Sequence, residues 1–200
     1  MQTGNTGTIC LVDTLVGAGY GDVMYSLTNR ISYPGWGWIA AQGATSSWES
    51  WGGARASMML INPINEFFYN DLAGIQGPDY YGPGYITPGF AKINIRPYPL
   101  DDLTHASASV RTPRGIVFSS WLRTDDTFDL EVEIPVNSKA KLSIPKLGHS
   151  KAVVTESMAP VWDGSALVVG TSGVNGASED EAYVTFEVGS GSYRFQLSAE

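Results

Sequence analysis

From Lys92 onward, apolar and polar residues alternate in short runs. Ile93 and Ile95 alternate with Lys92, Asn94 and Arg96. Phe128, Leu130, Val132 and Ile134 alternate with Asp129, Glu131 and Glu133. Val184, Phe186 and Val188 alternate with Thr185 and Glu187, and Tyr193, Phe195 and Leu197 with Arg194 and Gln196. A period of two puts one set of side chains on one face of a strand, so each run predicts a strand with one buried face. Turn-forming breaks separate the runs: "TPRG" (Thr112 to Gly115), "RTDD" (Arg123 to Asp126), "PVNS" (Pro135 to Ser138) and "GSGS" (Gly189 to Ser192). Many short strands at this spacing predict an antiparallel sandwich. "SGVNGASEDE" (Ser172 to Glu181) reads as a flexible surface loop.

The N-terminal part has a different texture. Helices are predicted over Ile9 to Val16, Asp22 to Thr28, Gly37 to Gln42 and Ala56 to Ala73. In the last, Met59, Ile61, Ile64, Phe67, Phe68 and Leu72 recur at near-helical spacing, and Gly74 follows as a C-cap. Pro63 lies inside that span, so a helix starting near Asn62 with Pro63 in its first turn fits better. Residues 1–80 carry two basic and six acidic side chains, against ten and fourteen in 81–200. The charge-poor first part therefore reads as helices packed on several sides. "GPDYYGPGYITPG" (Gly77 to Gly89) is a connector. A few short helices cannot close a large helical architecture alone. They either lean on the sandwich or form one side of a larger domain.

Totals narrow the chemistry. The net charge of −8 and a pI near 4.7, without a Lys/Arg cluster, argue against a nucleic-acid surface. Apolar runs are too short to span a bilayer, so no membrane partner is expected. "MQTGNTGTIC" lacks the basic and apolar regions of a secretory signal. A single cysteine, Cys10, allows neither an internal disulfide nor a Cys-based zinc site. His105 and His149 lack ligand spacing, and no acidic cluster has calcium-loop spacing. Neither a metal nor any other cofactor is called for.

One stretch stands apart. "YPGWGWIAAQGATSSWESW" (Tyr33 to Trp51) holds four of the six tryptophans and a lone carboxylate, Glu49. The indoles could simply be core and Glu49 a surface residue. A second reading uses sugar chemistry. Pyranoses present apolar C–H faces, which suit indoles, and hydroxyls, which suit carboxylates. Glycoside hydrolysis needs a pair of carboxylates, and a glutamate walled by indoles is desolvated and strengthened as a base. Both readings stand on the residues alone.

The same stretch resembles the motif of glycoside hydrolase family 78, the α-L-rhamnosidases, which reads roughly Y-P-x-W-G-Y-M-x-x-x-G-A-T-T-x-W-E-x-W. Further segments are similar to the family in the same order: "TGNTGT" (Thr3 to Thr8), "NEFFYNDLAGI" (Asn65 to Ile75), "GFAKINIRPYP" (Gly89 to Pro99), "ASVRTPRGIVFSSW" (Ala108 to Trp121) and "FEVGSGSYRF" (Phe186 to Phe195). The resemblance covers nearly the whole chain.

It implies the last helices of an (α/α)6 barrel followed by an antiparallel β-sandwich. Residues 1–76 would be the incomplete C-terminal part of the barrel, 77–88 a linker and 89–200 the sandwich. It implies an inverting α-L-rhamnosidase acting on terminal α-L-rhamnosyl groups, with a rhamnose-containing carbohydrate as partner. Glu49 falls on the family's general base, and Trp36, Trp48 and Trp51 on positions that line or support the rhamnose pocket. Glu66 reads as structural. The family's general acid belongs to a motif well upstream, which the missing N-terminal part of the barrel would supply. The chain alone is then expected to hydrolyse very slowly or not at all, and its reading frame to extend upstream. A severed barrel would also expose apolar helix faces and bind a hydrophobic dye. Met58 stands where the family commonly has a histidine eight residues before the helix glutamate. That departure keeps two alternatives open: a non-catalytic binding or structural remnant, and a related (α/α)6-barrel glycosidase of other specificity.

Overall fold

A computed structural model describes residues 5–46, 48–51, 53–56, 63–76, 88–100, 102–168, 170 and 173–199. The chain divides into two compact units, Met1–Phe68 and Tyr69–Glu200.

The first unit is mainly helical: α1 (Asn5–Gly17), α2 (Gly21–Asn29), α3 (Trp36–Ala41) and α4 (Pro63–Glu66). A hairpin of β1 (Trp48–Ser50) and β2 (Gly53–Ala56) lies between α3 and α4 in the chain. The first three helices fall on the spans predicted for them, beginning one to four residues earlier. Helix α1 packs on α2 and α4, and α2 on α3. Val12 and Met24 are buried between them. Thr28 is buried too, because its hydroxyl donates to the Met24 carbonyl one turn back (2.9 Å).

The predicted helix over Ala56 to Ala73 is corrected. Ala56 pairs with Trp48 in the hairpin. Helix α4 begins at Pro63, where a missing N–H costs nothing. After Glu66 the backbone widens into a π-helical segment, Phe67–Leu72. Asn62 and Met58 lie outside the described residues.

The second unit is built of strands: β3 (Ile75–Gln76), β4 (Lys92–Ile95), β5 (His105–Thr112), β6 (Gly115–Arg123), β7 (Thr127–Ile134), β8 (Lys139–Pro145), β9 (Ala152–Glu156), β10 (Ala159–Trp162), β11 (Val174–Glu179), β12 (Tyr183–Val188) and β13 (Gly191–Ala199). They form a six-stranded sheet ordered β10-β9-β13-β7-β6-β5 and a five-stranded sheet ordered β11-β12-β8-β4-β3. One hydrophobic cluster draws on both sheets. Phe186 of β12 and Phe195 of β13 stack across it, with ring centroids 5.0 Å apart. Every apolar residue that alternation assigns to the core of β4, β7, β12 and β13 is buried. The four predicted turns connect consecutive strands: the first two join neighbours in the six-stranded sheet, and the last two cross from one sheet to the other. At the first, the Thr112 hydroxyl accepts from Arg114 N–H (3.1 Å) and donates to the Gly115 carbonyl (2.8 Å).

Two features depart from the expected pattern. The pair β4–β8 is parallel, while all other pairs are antiparallel. "SGVNGASEDE" is not a loop over its central part, because Val174–Glu179 forms edge strand β11 against β12. Glu179 is fixed there by an ion pair with Lys146, a buried residue just past the end of β8 (2.8 Å). Most of the predicted connector, residues 77–87, lies outside the described residues.

Candidate active site

The tryptophan stretch folds into one aromatic cluster within the helical unit. Helix α3 brings Trp36 and Trp38, which flank Gly37. The glycine is required by packing. A Cβ at Gly37 would lie 2.9 Å from the carbonyl oxygens of both Asn29 and Arg30, where α2 ends. The W-G-W spacing thus lets α3 start against the end of α2 while its two indoles project from the helix.

Beyond α3 the chain returns as the β1–β2 hairpin, with Trp48 on β1 and Trp51 at its turn. Ile39 (7% exposed) and Trp51 (8% exposed) form the buried centre, and Trp36, Trp38, Ala44 and Trp48 pack against them. Contacts between rings are edge to face. Trp36 meets Trp51 at 5.2 Å, Trp38 meets Trp48 at 5.7 Å, and Tyr33 meets Trp38 at 5.1 Å between centroids. This is the geometry that aromatic quadrupoles favour, and it fixes each ring's orientation.

All three tryptophans singled out from sequence, Trp36, Trp48 and Trp51, therefore enter one cluster. Trp51 is its most enclosed ring, whereas Trp36 and Trp48 are half-buried. Glu49 is the middle residue of β1, between Trp48 and Ser50. Two members, Tyr33 and Trp38, were not singled out from sequence. The signal for both is present, since they lie in the same motif three and two residues from Trp36.

Glu66 lies elsewhere, on α4. Partial burial and the charge of Asp13 on α1 raise its pKa above 4.5. Among the described residues no group of three or more His, Cys, Asp or Glu could hold a metal ion, and no helix is long and apolar enough to cross a membrane. Chemically, the cluster offers half-buried indole faces beside a strand that bears a carboxylate. Such a wall suits a ligand with apolar faces and polar edges.

Comparison with known proteins agrees with this chemistry. Residues 1–72 match the bacterial alpha-L-rhamnosidase 6 hairpin glycosidase domain, and residues 82–159 the bacterial alpha-L-rhamnosidase C-terminal domain. An alpha-L-rhamnosidase of Formosa agariphila is 35% identical over 149 residues, covering 72% of this chain and 16% of the relative. The solved alpha-L-rhamnosidase from Dictyoglumus thermophilum superposes with a TM-score of 0.81 at 29% identity, over 99% of this chain and 21% of that one. The Streptomyces avermitilis alpha-L-rhamnosidase complexed with L-rhamnose gives a TM-score of 0.73 at 27% identity, over 98% of this chain and 18% of that one. The chain thus spans about a fifth or less of the length of these relatives. With its helical part and its strand-rich part matched in order, the chain belongs to the bacterial α-L-rhamnosidase family.

Proposed function

We propose that this chain is the C-terminal portion of an inverting α-L-rhamnosidase and supplies the general-base half of its site. In this reading residues 1–76 are the last helices of an (α/α)6 barrel, 77–88 a linker and 89–200 an antiparallel β-sandwich. Ile75 and Gln76 are lent to the five-stranded sheet as β3. The substrate is a carbohydrate or glycoside ending in an α-L-rhamnosyl group.

The observation that carries the reading is the placement of Glu49 on a strand between two indoles of one aromatic cluster, Trp48 and Trp51. Inversion needs a carboxylate that takes a proton from water while an acid protonates the leaving oxygen, the two standing roughly 6.5–9.5 Å apart. Glu49 is the base. Indoles beside it lower the local dielectric and raise its affinity for the proton. Trp36, Trp48 and Trp51 wall the rhamnose. The general acid comes from the barrel segment upstream of this chain, so residues 1–200 alone hydrolyse very slowly or not at all.

The test is hydrolysis of a chromogenic α-L-rhamnoside by this chain and by an upstream-extended form, with the anomer of the released sugar read by NMR. Activity in the extended form alone, releasing the inverted anomer, supports the reading. Release of the retained anomer refutes it. A second reading, a binding or structural remnant, is favoured by Met58 in place of the family histidine, because a thioether cannot donate to a sugar hydroxyl. An extended form that binds rhamnosides and cleaves none would establish it.

A further inference from the structure

The β1–β2 hairpin is too short to fix its own geometry. Its strands have three and four residues, and a two-stranded hairpin by itself is marginal in water. The ladder also slips at Glu49. Trp48 pairs with Ala56 and Ser50 with Gly53, so Ala54 and Arg55 together oppose the single residue Glu49. A bulge of this kind interrupts pairing and bends the strand, so contacts from outside the ladder must set its course. Helix α3 makes those contacts. Trp38 meets Trp48, the residue before Glu49, at 5.7 Å and 86°, and Trp36 meets Trp51, two residues after it, at 5.2 Å and 83°. The helix is itself seated, because Ile39 is buried and Gly37 lies against the end of α2.

Resting on the rhamnosidase reading above, we propose that Trp38 is a positioning residue: its edge-to-face contact with Trp48 holds the bulged strand β1, and with it the backbone of Glu49, where proton abstraction from water requires it. Trp38 acts through Trp48 and touches no substrate. A general base works only within hydrogen-bond reach of its water, and a displacement of about 1 Å lowers turnover about a hundredfold. The contact depends on an aromatic ring at position 38. Tyrosine therefore serves there, and leucine, with apolar bulk but no ring, does not.

The test uses the full-length polypeptide that contains this chain. Trp38→Leu should lower kcat for a chromogenic α-L-rhamnoside roughly ten- to a hundredfold while KM changes less, and Trp38→Tyr should restore it. In a Trp48→Ala background Trp38→Leu should have little further effect, because the contact is already gone. A Trp38→Leu kcat within about threefold of the parent, or effects of the two substitutions that simply multiply, overturns the inference. Amide exchange of the β1–β2 ladder is read on the same variants and needs no activity. Trp38→Leu should speed exchange there and Trp38→Tyr should restore protection. If the parent cleaves no rhamnoside while this exchange pattern holds, the rhamnosidase reading fails and the contact stands. Exchange that Trp38→Leu leaves unchanged refutes the contact whatever the activity.

Discussion

The Trp121 indole N–H donates to the Leu72 carbonyl at 2.7 Å, and both residues are buried. It is one of four such bonds in a row. Tyr98 N–H is bonded to the Asp71 carbonyl (2.8 Å), the Ser119 hydroxyl to Ala73 (2.7 Å), and Arg96 N–H to Gly74 (2.8 Å). The last carbonyls of a helical segment have no partner within it. Within the unit Tyr69–Glu200, four consecutive carbonyls thus find partners as the π-helical segment ends. Trp121→Phe keeps an aromatic ring facing Phe128 but removes the donor and part of the buried bicycle. It should cost at least the about 1–3 kcal/mol of a buried acceptor left unbonded, with the void left by the smaller ring adding to it, read as a lower urea midpoint with an unchanged slope.

Gly74 sits where that segment turns into β3, at φ 81°. A Cβ there would lie 2.4 Å from Pro97 N and 2.6 Å from Arg96 C, all backbone. Gly148 has a similar φ of 83° but open space around it. Gly148→Ala should therefore cost only the left-handed backbone penalty, about 1–2 kcal/mol. Gly74→Ala adds displacement of the Arg96–Pro97 backbone and should cost clearly more. Equal melting temperatures for the two variants would contradict the packing described.

Glu66 provides a pH test of the helical unit. Partial burial and Asp13 raise its pKa above 4.5, so folding favours its protonated form. Its contribution to stability is fully present below 4.5 and is lost as pH rises through the raised value. Glu66→Gln mimics the protonated form at every pH. Any advantage it has over the parent should be largest at pH 7 and should shrink below pH 5. Urea midpoints across that range check it, and an advantage that grew on acidification would contradict the sign.

Amide exchange separates strand β11 from the loop that its sequence suggests. Ladder amides of Val174–Glu179 that face β12 should be protected well beyond those of an open loop, and Lys146→Ala should lower that protection by removing the 2.8 Å ion pair to Glu179. The reason this strand was hidden is physical. Asn175, Gly176, Ala177 and Ser178 have weak strand propensity, and their burial does not alternate. Pairing here is imposed by the open edge of β12. By contrast β7 was legible, because Phe128, Leu130, Val132 and Ile134 must all face one core.

The same division holds elsewhere. Helices α1 to α3 are legible in the charge-poor texture of the N-terminal part, and Pro63 marks the start of α4. The parallel β4–β8 pair depends on a partner distant in sequence, which no local period reports. In the candidate site, the motif pointed to Trp36, Trp48 and Trp51. It could not report that Trp38 bridges Trp48 to Tyr33, since ring contacts are set only once α3 and the hairpin meet.

The central claim concerns Glu49, and the most direct measurement is kcat/KM for a chromogenic α-L-rhamnoside with the upstream-extended enzyme and its Glu49→Gln variant. The amide keeps size and shape but cannot accept a proton from water. Loss of a general base is expected to lower kcat about 100- to 10,000-fold with KM little changed. A variant that keeps kcat within a few-fold of the parent would show that another group activates the water, and that Glu49 is only part of the aromatic cluster's packing.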